Sequence, residues 1–181
     1  GDSTRGTIIR SYHNGTAITY TATIADLSEA KPIFRDFTLE CMQNGGDAVK
    51  STTGAAWNGV GIRLNGGYGL LMENVFIKNF YTALHLDEAA VNTFVNFMAR
   101  NCYWGIYSES WSNTNLFVGG LLSRAAINTG EDWVYGLTTM KGTDFIFMGM
   151  DLEPSSTTHK IGNRNKFINC RIEQLLSLIH I

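Results

Sequence analysis

Apolar and polar positions along this chain fall into short alternating runs, broken by single turn-forming residues, and one such run recurs. "FINCRIE", from Phe167, reads as an aromatic residue, a spacer, a small turn former, two spacers, an aliphatic residue and a charge. The same shape appears as "FRDFTLE" from Phe34, "MENVFIK" from Met72, "FVNFMAR" from Phe94, "FVGGLLS" from Phe117 and "FMGMDLE" from Phe147. The third position holds Asp36, Asn74, Asn96, Gly119, Gly149 and Asn169, the residue types that best tolerate positive φ, which predicts a one-residue left-handed bend. The sixth position is apolar in every copy: Leu39, Ile77, Ala99, Leu122, Leu152 and Ile172. The expected unit is therefore strand, sharp corner, strand.

The copies begin at residues 34, 72, 94, 117, 147 and 167, at intervals of 38, 22, 23, 30 and 20. Self-similarity near a fixed period with insertions marks a solenoid. No stretch carries helical periodicity over ten residues. The best helical candidate, residues 24–32, is ended at once by Pro32. Leucine-rich repeats lack the aromatic first position, and left-handed hexapeptide coils need multiples of six. What remains is an all-β chain folded as a right-handed parallel β-helix, with Phe34, Met72, Phe94, Phe117, Phe147 and Phe167 stacked in one column. The long intervals are assigned to insertions over residues 51–69 and 128–143, of the kind that build the binding face of a rigid solenoid.

The segments "ENVFIKNFYTALHL" (residues 73–86), "NKFINCRIE" (165–173) and "TIIRSYHNGTAI" (7–18) resemble coils of the pectate-lyase-like β-helix family, phage tailspikes in particular. That resemblance covers most of residues 7–174, and its motifs specify fold far better than activity. It implies a protein that binds and depolymerises a bacterial surface polysaccharide, assembles as a homotrimer and resides in a virion tail or outside the cell. A secreted polysaccharide lyase or hydrolase and a purely structural fibre or adhesin are the alternatives.

Composition agrees with a folded chain of 181 residues, with 44% hydrophobic and 12% aromatic residues but only 17% charged. A net charge of −2 gives no basic footprint for nucleic acid. No apolar run is long enough to span a bilayer, so no membrane insertion is expected. Cys41, Cys102 and Cys170 lack CxxC or Cys/His spacing and read as small buried hydrophobes, while His13, His159 and Lys160 have no companions at ligand spacing. No metal or other cofactor is implied. Asn14-Gly15-Thr16 fits a glycosylation acceptor, but with no secretion signal in view it reads as a turn. The terminal "LSLIHI", residues 176–181, matches the translation of a transposase-end sequencing adapter. The expectation is a truncated β-helix fragment over residues 1–175 followed by a non-native tail.

Candidate chemistry collects where two copies continue in register. "NFYTALHLDE" from Asn79 lies over "NCYWGIYSES" from Asn101. Alternation sends Leu84, Leu86, Ile106 and Ser108 inward and His85, Asp87, Tyr107 and Glu109 outward. Stacking then sets Asp87 beside Glu109, and two adjacent carboxylates raise one pKa, which prepares a general acid next to a base or nucleophile. Such close pairing suits a retaining glycosidase. Lyase chemistry would instead call on His85 or Tyr107 as base. No three-carboxylate cluster for calcium is visible. Trp104, Trp111 and Trp133 are the expected sugar platforms, and Glu131 and Asp132 beside Trp133 form an alternative acidic site.

Overall fold

The computed structural model describes residues 6–13, 15–22, 31–42, 59–100, 102, 104–109, 112–123, 146–148 and 165–173. These residues are all-β, with no helix among them and every strand pair parallel. The helical candidate over 24–32, the Asn14 acceptor site and the tail 176–181 fall wholly or largely outside them.

The strands are β1 (Thr7–Ser11), β2 (Thr16–Thr21), β3 (Ile33–Cys41), β4 (Val60–Asn65), β5 (Leu71–Lys78), β6 (Thr82–Asp87) and β7 (Thr93–Val95). They continue as β8 (Met98–Arg100), β9 (Trp104–Glu109), β10 (Leu116–Val118), β11 (Leu121–Ser123), β12 (Ile146–Met148), β13 (Lys166–Ile168) and β14 (Arg171–Glu173). Sheet A has nine strands, β1, β3, β5, β7, β8, β10, β11, β13 and β14; sheet B has five, in the order β12-β9-β6-β4-β2. The chain visits sheet A, then sheet B, and returns to lie beside its previous pass.

The recurring run is the sheet A part of each pass. Phe34, Met72, Phe94, Phe117 and Phe167 are successive register partners. Phe94 and Phe117 stack at 4.4 Å, and Phe117 and Phe167 at 4.6 Å, with rings within 8° of parallel. Phe147 does not join this column. Its strand β12 belongs to sheet B, where Phe147 partners Tyr107, and β10 pairs directly with β13. "FMGMDLE" is therefore a false copy: its described residues form a sheet B strand, and β13 follows β10 directly in the sheet A stack.

The bend has the predicted conformation, with Asp36, Asn74, Asn96, Gly119 and Asn169 at φ values of 57°, 51°, 51°, 65° and 53°. Asn74 Nδ2 donates to Asp36 Oδ1 at 3.0 Å, and Asn96 Nδ2 to Asn74 Oδ1 at 3.1 Å, so the bends form an external amide ladder. After the bend, Gly120 sits at φ 90° with the Phe97 backbone where a Cβ would be, so only glycine fits.

The opposite corner, from sheet B back to sheet A, carries a buried ladder. Asn92 Oδ1 accepts from the Leu70 N–H, Asn115 Oδ1 from Asn92, and Asn165 Oδ1 from Asn115, at 2.8–3.0 Å. Their Nδ2 groups donate to the carbonyls of Gly67, Ala89 and Ser112. Each amide thus satisfies donors and acceptors of the corner backbone, which is buried at Asn92 and Asn115 and partly buried at Asn165.

Between the sheets lie the apolar columns Leu39–Ile77–Ala99–Leu122 and Ile62–Leu84–Ile106, all at most 4% exposed. Fully burying each such Leu or Ile contributes about 1.5–3 kcal/mol. Cys102 is also buried, and desolvation pushes its thiol up to about 12; Cys170 is raised for the same reason, burial. Both read as packing residues rather than nucleophiles.

Candidate functional site

Insertions fall at particular places on this framework. The bend inside sheet A takes at most two residues between strands, 96–97, 119–120 and 169–170, and lies within a continuous strand in β3 and β5, and the shortest links into and out of sheet B, 79–81 and 88–92, are nearly as tight. The longest stretches between strands are 22–32, 42–59, 124–145 and 149–165, and each runs between a sheet A strand and a sheet B strand. β6 and β9, with short corners at the start of both, lie between the passes that carry them. The insertion expected over 51–69 is shorter than supposed, since residues 60–65 form β4, in register with β6. The insertion over 128–143 lies outside the described residues.

The outer face of sheet B is built by alternation. Leu64 and Leu86 are fully buried, so Arg63, His85 and Tyr107 share one outward column, and Asn65 and Asp87 share the next. His85 and Tyr107 meet edge to face, with ring centroids 5.0 Å apart. The backbones of Asp87 and Glu109 are in register, as the 22-residue offset requires. Only the backbone of Glu109 and of Trp104 is described. Trp111, Trp133, Glu131, Asp132, His159 and Lys160 lie outside the described residues.

The side chain that engages Asp87 is Arg63, whose Nη2 lies 2.6 Å from Asp87 Oδ2. The pair runs diagonally from one pass to the next. Its carboxylate is more covered than its guanidinium, at 18% against 38% side-chain exposure. Arg63 Nε is buried and has no partner among the described residues. Sequence reasoning missed Arg63 by placing "VGIRLN" in an insertion. The signal was present, because "GIRLN", "ALHLD" and "GIYSE" share one alternating pattern at 22-residue steps.

The interior neighbour of Tyr107 is unusual. Ser108 follows Leu64 and Leu86 in an inward column, is fully buried, and its Oγ has no partner among the described residues. His13 belongs to a turn, accepting the Gly15 N–H on Nδ1 at 2.9 Å. Among the described residues no group of three or more His, Cys, Asp and Glu is placed to hold a metal ion, and no helix is long and apolar enough to cross a membrane.

Searches against protein-family models, curated proteins and solved structures find no match to this chain.

Proposed function

We propose that the chain is a right-handed parallel β-helix of the pectate-lyase-like kind that engages polysaccharide, most like the shaft of a phage tailspike, and that sheet B carries the glycan face. The observation that carries this reading is the outer face of sheet B, which presents the Arg63–Asp87 ion pair beside the His85 and Tyr107 rings, with long stretches of chain entering and leaving the neighbouring passes. Loops attached to a rigid scaffold are where binding groups accumulate. Rings next to fixed hydrogen-bonding groups suit sugars, which have an apolar face and a polar rim.

Depolymerisation of a bacterial surface glycan is the activity this face would support, with Asp87, Glu109, His85 and Tyr107 as the groups able to move protons. The proposed location is a virion tail or the extracellular space. The decisive experiment is a glycan-array screen followed by reducing-end and unsaturated-uronate assays. Binding to a defined glycan class supports the reading, and absence of binding across a broad panel rejects it.

A second feature favours assembly. The outer face of sheet A before the bend carries apolar residues in two register columns, Ile33, Leu71 and Leu116 in one with Thr93 and Lys166, and Val95, Val118 and Ile168 in the next with Arg35 and Glu73, so Val95, Leu116, Val118 and Ile168 form an apolar patch, with Ile168 at 47% exposure. Contiguous apolar surface on a sheet commonly packs against another chain. We assign it to the proposed homotrimer, which sedimentation of the full chain would test. A trimer without glycan binding would favour the structural-fibre alternative.

A further inference from the structure

We infer that the glycan subsite on sheet B is built for an uncharged sugar, with the Arg63–Asp87 pair reading neighbouring hydroxyls and the His85–Tyr107 rings lying beside it. This rests on the proposal that the outer face of sheet B engages glycan, and it goes further by naming the substrate class.

The charges on the face are the first support. The sheet B strands carry one Lys or Arg, Arg63, against two carboxylates, Asp87 and Glu109, and the exposed Glu88 follows immediately. A uronate or sialate needs a cation whose charge is not already compensated. Here the guanidinium is held at 2.6 Å by Asp87, so an incoming carboxylate would meet Asp87 at nearly the same distance as Arg63. The attraction and the repulsion then largely cancel.

The hydrogen-bonding chemistry points the same way. A sugar hydroxyl donates and accepts at once, whereas a guanidinium only donates and a carboxylate only accepts. Joined side by side they offer fixed donors next to fixed acceptors, which is what two adjacent hydroxyls require. Charge-assisted bonds of this kind are among the stronger ones available on a protein surface. The partly exposed guanidinium leaves room for such contacts. His85 is the register partner of Arg63 and packs edge-on against Tyr107, so an apolar sugar face can rest next to the polar pair. A chain without uronates also lacks the carboxylate-activated C–H that β-elimination needs, so the lyase alternative loses its substrate.

The test uses the full chain on an array printed with neutral, amino-sugar and uronate- or sialate-containing oligosaccharides. Wild type should bind neutral glycans, with affinity constant within about twofold between low and high salt, because no net charge is being neutralised. Arg63→Gln and Asp87→Asn should each weaken that binding by about tenfold or more. The Arg63→Gln, Asp87→Asn double variant removes both charges while keeping shape, and an unchanged melting curve confirms that its loss of binding is local. Binding confined to acidic glycans, salt-sensitive and abolished by Arg63→Gln alone, would overturn the inference while leaving the glycan-binding proposal intact. Binding to no class would reject both.

Discussion

Phe94 and Phe117 lie one pass apart in the chain, yet their rings stack at 4.4 Å and 8°. Phe167 continues the stack below Phe117 although a long pass separates them in sequence. Phe117 is 2% exposed and has a parallel ring on both sides, so it closes the core at the level where the short passes meet the long one. Phe117→Ala should cost about 3–5 kcal/mol in urea unfolding. Arg100→Ala, at an exposed position of the same sheet after the bend, should stay within about 0.5 kcal/mol. Equal effects would place the packing elsewhere.

The buried corner amides should matter more than the external ones. Asn115 accepts from both the N–H and the Nδ2 of Asn92 and donates to Ala89. Asn115→Ala strands those groups without water, at about 1–3 kcal/mol for each one left unmade. Asn96, in the external ladder, is exposed and at positive φ. Asn96→Gly keeps the backbone conformation and should be close to neutral. Thermal melts of the two variants read the difference directly.

Cys102 gives a pH dependence with a defined sign. Burial raises its folded pKa from 9.0 to about 12, so the folded state holds the thiol proton more tightly than the unfolded chain. The stability this contributes is complete below the unfolded value and is lost as pH rises through about 9 toward 12. Cys102→Ala removes the titration. The stability gap between wild type and Cys102→Ala should therefore narrow between mildly and strongly alkaline buffer, and a constant gap would contradict the burial argument.

Much of the framework was readable because a parallel stack repeats its constraints. Asp36, Asn74, Asn96, Gly119 and Asn169 signal the bend through backbone tolerance alone, and their φ values agree. Phe147 misled because the recurring run, taken by itself, is also what any short strand beside a turn looks like. Two residues earlier the true copies at Phe94, Phe117 and Phe167 have Asn92, Asn115 and Asn165, whereas Phe147 has Phe145. That asparagine does physical work, since it satisfies the corner backbone, and extending the motif upstream would have set Phe147 apart from these three later copies, although the earlier ones at Phe34 and Met72 have Pro32 and Leu70 there. Arg63 was hidden for the opposite reason. Its strand was legible by spacing, but its role arises from a diagonal contact between passes, which depends on side-chain reach rather than on register.

The outer face of sheet B yields the sharpest functional prediction, because Asp87 and Glu109 are opposite each other in backbone and the proposal gives them different roles. Asp87 is tied to Arg63 and on the proposal above belongs to the binding apparatus. The proposal then assigns proton transfer to Glu109, the backbone register partner of Asp87. On a glycan that wild type cleaves, Glu109→Gln should lower kcat by about 10²–10⁴-fold with KM little changed, since the amide keeps shape and loses the proton chemistry. Asp87→Asn should act mainly on KM. Tyr107→Ala should weaken binding by about 1–3 kcal/mol through loss of ring surface. Steady-state kinetics on the three variants separate these roles, and undiminished cleavage by the Asp87→Asn, Glu109→Gln double variant would move the chemistry off this sheet.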